Sequence, residues 1–166
     1  MKIRHLIGLL GALGFAANLP AQTKTSGTIQ CKPGTPQTIE VGDQPGHMFS
    51  LSKSMCTWTT PMKIDGTETK SGEDVDSEEI WGMKSTGGGA HWSTMANGDK
   101  IFVQFHGVTM LDKDGKPKTS EGHWHYTGGT GTMKGITGQG TYKGTPNADG
   151  SMTFAVEGDY KLPGKK

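Results

Sequence analysis

Between Ser26 and Tyr160 the apolar residues of this chain sit in short alternating runs, and no segment of ten or more residues there repeats them at the helical period. That rhythm restricts the chain to sheets, because successive side chains of a strand point to opposite faces and one face must be buried. The clearest case is Ser151 to Tyr160: Met152, Phe154, Val156 and Tyr160 share one face, and Thr153, Glu157 and Asp159 share the other. Further strands are expected at Ser26–Lys32, His47–Thr59, Glu73–Lys84, Ala90–Asn97, Lys100–Leu111, Thr119–Thr127 and Gly138–Gly144. The pairs Asp65-Gly66, Asn97-Gly98, Asp114-Gly115 and Asp149-Gly150 supply the positive φ angles of tight hairpins. The chain therefore reads as all-β, an antiparallel meander of about eight strands. Closing it into an eight-stranded barrel removes the exposed edges, and an open β-sandwich is the alternative that periodicity leaves standing.

The N-terminus reads differently. Lys2 and Arg4 precede the apolar run Leu6–Ala17, and Asn18-Leu19-Pro20-Ala21 closes with a small residue at a cleavage position. This is the pattern of a secretory signal peptide over residues 1–21, with an apolar run shorter than the roughly 20 residues a membrane span needs. Residues 22–166 are then a single domain, secreted or periplasmic and free of the membrane after cleavage. In that oxidising setting Cys31 and Cys56 are expected to form a disulfide, contributing about 3 kcal/mol by restricting the unfolded chain. A reactive or metal-binding thiol pair is the alternative, and neither Cys has a neighbour at zinc spacing.

Processing lowers Lys+Arg from 17 to 15 against 16 Asp+Glu, a formal charge of −1, and removes Arg4, the only arginine. A near-neutral domain without a guanidinium has little hold on nucleic acid or nucleotides. The acidic run Glu73, Asp74, Asp76, Glu78 and Glu79 invites a calcium reading. No glycine-bearing calcium loop accompanies it, and Asp74, Asp76 and Glu78 alternate as the solvent face of a strand would. Asp112-Lys113-Asp114-Gly115 places its glycine too early for a calcium loop and reads as a hairpin turn.

From Gly122 to Gly144 a strand runs into a glycine-rich crossing and a second strand follows, with Met133 and Ile136 placed to plug a barrel end. A phosphate-cradling loop is disfavoured, because the Gly-Lys-Ser/Thr ending and the following helix are both missing. The run Thr127-Gly128-Gly129-Thr130-Gly131, Lys134-Gly135-Ile136, then Gly138, Gly140, Thr141 and Tyr142 resembles the late-barrel segment of the allene oxide cyclase and dirigent superfamily. The resemblance spans Gly122 to Tyr160 and implies an eight-stranded antiparallel barrel, often a trimer, with a cavity at its mouth. It does not carry activity across: dirigent pockets use arginine, which the processed chain lacks, and no position here matches the catalytic residues of the cyclases.

Chemistry-bearing residues are few. His123 and His125 share one face of a strand with Glu121, and the Asp114-Gly115 hairpin brings His106 alongside. His106, His123 and His125 form a candidate zinc or copper site, or an acid–base group near neutral pH. His47 and His91 carry no such signal. Trp124 and Tyr126 occupy the opposite face, so only one of the two sets lines a cavity. Trp124, Tyr126, His106 and Glu121 are the candidate ligand-binding residues, and no catalytic constellation is evident. The expectation is an exported barrel that binds a small apolar or aromatic ligand, or serves a structural role, more than an enzyme. The alternatives are a cyclase or isomerase of the resembled type and a histidine-based metal-binding protein.

Overall fold

The computed structural model describes residues 22–164, so the expected signal peptide lies outside the described residues. Ten strands follow one another: β1 (Thr23–Pro33), β2 (Gln37–Glu40), β3 (Met48–Thr60), β4 (Lys63–Ile64), β5 (Thr67–Trp81), β6 (Lys84–Met95), β7 (Lys100–Leu111), β8 (Pro117–Gly129), β9 (Gln139–Pro146) and β10 (Met152–Tyr160). Eight of them form a ring in the order β3-β1-β10-β9-β8-β7-β6-β5, closed by pairing of β3 with β5. Every pairing is antiparallel. The barrel expectation holds and the open sandwich is ruled out by the β3–β5 ladder, which runs from Met48↔Ile80 to Thr57↔Ser71.

The eight ring strands are the eight that alternation marks. The two short ones carry no such pattern: β2 flanks the first half of β3 and β4 makes a hairpin with β5 through Asp65-Gly66. The boundaries differ most at β5 and β6. The expected strand Glu73–Lys84 starts earlier, at Thr67, and turns at Gly82 (φ +62°), and β6 begins at Lys84 and passes through Gly87-Gly88-Gly89. Those glycines have no side chains to alternate, which hid the start of the strand.

The barrel interior has two unlike halves. One is filled by Ile64, Met95, Ile101, Val103, Trp124, Tyr126, Met133, Ile136 and Tyr160. Met133 and Ile136, 1% and 2% exposed, close this end as the sequence suggests, carried there by a single 3-10 turn at Gly131–Met133. Burying side chains of this size contributes about 1.5–3 kcal/mol each. The turn is tied down by Asp99, whose Oδ2 accepts from the Thr132 amide at 2.9 Å and the Thr132 hydroxyl at 2.6 Å. Gly131 sits at φ +52° with its α-carbon facing that carboxylate, where a Cβ would collide with Asp99. The other half of the barrel is hollow.

Candidate functional site

The hollow half is a cavity of about 570 Å³ that opens between the ends of β5, β7 and β9 and the starts of β3, β6, β8 and β10. Its floor is Trp58, Ile101, Val103 and Trp124, and its walls include Ile29, Phe105, Phe154 and Val156. The Cys31–Cys56 disulfide joins directly opposed residues of β1 and β3 and faces inward. On the β5 wall stand Asp74, Asp76 and Glu78, three alternate residues that all turn into the cavity. This corrects the sequence reading: their alternation is real, but the wet face of β5 at this level is the inside of a hollow barrel. The side that faces bulk water carries Val75, Ser77 and Glu79.

Each of the three carboxylates is held. Asp74 pairs with Nδ1 of His91, its register partner on β6, in a short contact. Nε2 of His91 lies 2.7 Å from Oγ of Ser93, which accepts from Trp58 Nε1 at 2.9 Å. With the Nδ1 proton directed at Asp74, Nε2 accepts from the Ser93 hydroxyl, and every donor in the chain Trp58–Ser93–His91–Asp74 finds one acceptor. The order resembles a nucleophile, base and orienting acid, but Ser93 is 0% exposed, so the chain serves to fix the imidazole. Gly72 makes the fit, since a Cβ there would strike the His91 ring. Higher on the wall, Ser52 donates to Asp76 at 2.8 Å and Ser85 to Glu78 at 2.6 Å. Burial raises the Asp76 carboxyl above its ordinary value against the Ser52 hydrogen bond, and Glu78 and Asp74 raise it further by repulsion. Across the cavity the Tyr142 hydroxyl is pushed up to about 12, chiefly by burial and then by Glu78.

At the rim, the loop 41–47 is latched by His47. Its Nδ1 lies 2.7 Å from Asp43 Oδ1, its Nε2 lies 2.9 Å from Glu79 Oε1, and its ring stacks on Trp81 at 5.5 Å. Serving both carboxylates requires a proton on each nitrogen, so the latch is strongest as imidazolium. The hydrogen bond to Glu79, then that to Asp43, raises the His47 pKa, and His47 in turn lowers that of Asp43.

The residues singled out from sequence divide. Trp124 faces inward and forms part of the floor; Tyr126 also faces inward but packs below it in the filled half, its hydroxyl 3.9 Å from Met62 Sδ. His106 and Glu121 face outward, so neither lines the interior, which corrects their assignment to a ligand pocket. His123 and His125 also face outward. His106 sits opposite His123 in an outer depression of about 1430 Å³ with Gln104, Gln139 and Glu157. That depression is larger than the cavity, but it is the outer face of the wall; its lining includes Asp159, whose Oδ1 is buried without a hydrogen-bond partner and whose Oδ2 lies 3.5 Å from Lys24 Nζ. The three histidines do not draw their ring nitrogens together: among the described residues, the set of three ligand-type atoms within 4.8 Å of one another is Cys31, Cys56 and Asp74. Those two sulfurs are bonded to each other and offer no thiolate. The residues sequence reasoning missed are Asp74, Asp76, Glu78, His91 and Tyr142. The available signal was parity: His91 and Ser93 share a face with Met95, and Asp76 and Glu78 with Ile80.

Neither a protein family nor a curated protein matches the sequence. Among solved structures the chain is similar to a pterocarpan synthase dirigent protein, at 13% identity and TM-score 0.46, over 98% of this chain and 100% of that one. It is also similar to a pyocyanin demethylase, at 13% identity and TM-score 0.40, over 80% of this chain and 98% of that one. Neither likeness reaches a TM-score of 0.5, and neither protein's chemistry is carried over.

Proposed function

We propose that this protein is exported and binds a small, largely apolar or aromatic ligand inside its barrel. The observation that carries the binding reading is the unfilled half of the interior. A chain that needed only a stable barrel would pack both halves as it packs the one around Met133, because empty or wet interior forfeits contact energy. Volumes in this range suit a molecule of one to three rings. Export is supported by the disulfide and by the leader-like N-terminus, and the exposed apolar residues Ile39, Phe49, Leu51 and Val75 on the outside of β2, β3 and β5 support self-association.

The test is titration with the neutral fluorophore N-phenyl-1-naphthylamine. Saturable one-to-one binding with a blue-shifted emission is expected, and Thr109→Trp, which fills the mouth from β7, should weaken it at least tenfold. A folded protein that binds no such probe would sink the reading. Mass spectrometry of the chain recovered from a secreting host checks export: cleavage near Ala21 and a mass two hydrogens light are expected.

A second reading, a cyclase or isomerase, is favoured by one observation: Asp76, its carboxyl raised by burial, stands in the same cavity as Tyr142 and can exchange a proton with a bound molecule. Under it, Asp76→Asn abolishes turnover of a ligand that the variant still binds.

A further inference from the structure

The charge of the cavity wall is unbalanced. Three carboxylates, Asp74, Asp76 and Glu78, face inward, and among the described residues the cavity lining includes no lysine and no arginine. His91 hydrogen-bonds Asp74, which leaves Asp76 and Glu78 held by serine hydroxyls alone. Hydroxyls solvate a carboxylate but do not neutralise it, and two like charges on one wall in a partly dry space oppose folding. A polar rim made of serine and threonine would have avoided that cost. The opposite walls are aromatic: Phe105, Phe154, Tyr142 and Trp124 present ring faces and edges to the same space. Anionic groups on one side and π faces on the other are the two features that attract a positive charge attached to an apolar body.

We infer that the cavity selects a small organic cation, a protonated amine or other cationic nitrogen on an aromatic or apolar body, with the charge between Asp76 and Glu78 and the body against the aromatic wall. This rests on the ligand-binding reading above and narrows its substrate class. An inorganic cation fits less well, because the inward carboxylates do not bring three oxygens within 4.8 Å of one another, whereas an extended organic cation needs no such convergence. An anion meets only repulsion, with no guanidinium to receive it.

The experiment is calorimetric titration of the purified chain at pH 7 with three molecules of nearly one shape, 2-(1-naphthyl)ethylamine, 2-(1-naphthyl)ethanol and 1-naphthaleneacetate, after N-phenyl-1-naphthylamine has been titrated as above. The amine is expected to bind at least tenfold more tightly than the alcohol, and the acid not at all. In the Asp76→Asn, Glu78→Gln double variant, shown by circular dichroism to be folded, the amine and the alcohol should bind within about threefold of each other. Equal or tighter binding of the alcohol or the acid to the native chain, with the neutral fluorophore still bound, overturns the cation inference and leaves the ligand-binding reading intact. Failure of all four molecules overturns both. A preference for the amine that survives in the double variant also overturns it, since the charge would then be recognised elsewhere. Calcium that binds in the same assay and displaces the amine would assign the carboxylates to a metal instead.

Discussion

The two halves of the barrel interior are built on the same strands and the same alternation, yet one is a plug and the other a cup. Around Met133 the inward positions are Ile64, Met95, Ile101 and Ile136, all 2% exposed or less. Toward the other end of the barrel the inward positions of β3, β5, β6 and β8 become Ser52, Ser54, Asp76, Glu78, Ser85 and Ser120. The difference teaches that period-2 patterning sets which residues face in, whereas their size and polarity decide whether the inside is core or site. Stability should therefore concentrate in the plug and function in the cup.

The sharpest way to break that division is truncation. Ile101→Ala in the plug is expected to cost about 2–5 kcal/mol in urea unfolding, the range for an aliphatic side chain lost from a packed core. Met152→Ala at the rim, where the side chain is already half-exposed, should cost less than 1 kcal/mol. Comparable losses at both would end the distinction. Next in size is the Cys31→Ser, Cys56→Ser pair, expected to destabilise by about 3 kcal/mol through the freed unfolded chain and, because the bond forms part of the cavity wall, to weaken N-phenyl-1-naphthylamine binding as well.

A change of opposite sign is expected at Asp76. A carboxyl raised in the folded state above its ordinary 3.8 contributes stability below that value and loses it as pH rises through the folded one. At pH 7 the charged group therefore opposes folding. Asp76→Asn should raise the Tm by a few degrees at pH 7, with the gain shrinking toward pH 4. A lower Tm at pH 7 would show that the carboxylate is compensated by the fold itself. The smallest effect belongs to the rim latch. Asp43 is lowered, so its share is full above 3.8 and lost as pH falls through its folded value; His47 is raised, so its share is full below 6.5 and lost as pH rises through its folded value. Proteolysis within the loop 41–47 should be slowest between those limits and quicken on either side, and His47→Gln should flatten the profile.

The plug was legible in the sequence and the cup was not, for one physical reason. Met133, Ile136 and Tyr160 announce buried places because burial is the ordinary fate of apolar residues, and the Asp-Gly and Asn-Gly turns announce hairpins because few residues accept positive φ. Asp74, Asp76 and Glu78 announce only that their face is hydrated, and water lies on both sides of a hollow barrel's wall. The same ambiguity sent His106 and Glu121 to the interior and set His91 aside as carrying no signal. The partner that fixes His91, Asp74, lies 17 residues away in sequence and meets it only through the β5–β6 register. The Gly82 turn and the glycine run of β6 were silent because glycine carries no periodic signal.

The ring closes by pairing its first strand with its last, Thr23 opposite Tyr160. A chain that emerges from its N-terminus can assemble β5 to β9 as successive hairpins, but β1 lacks its β10 neighbour until the final residues arrive. Every shorter chain is an open sheet with two bare edges, slow to settle because the last contact to form spans nearly the whole sequence. The barrel therefore cannot lock until β10 is in place, and a chain cut short of β10 is left without the strand that completes its seam.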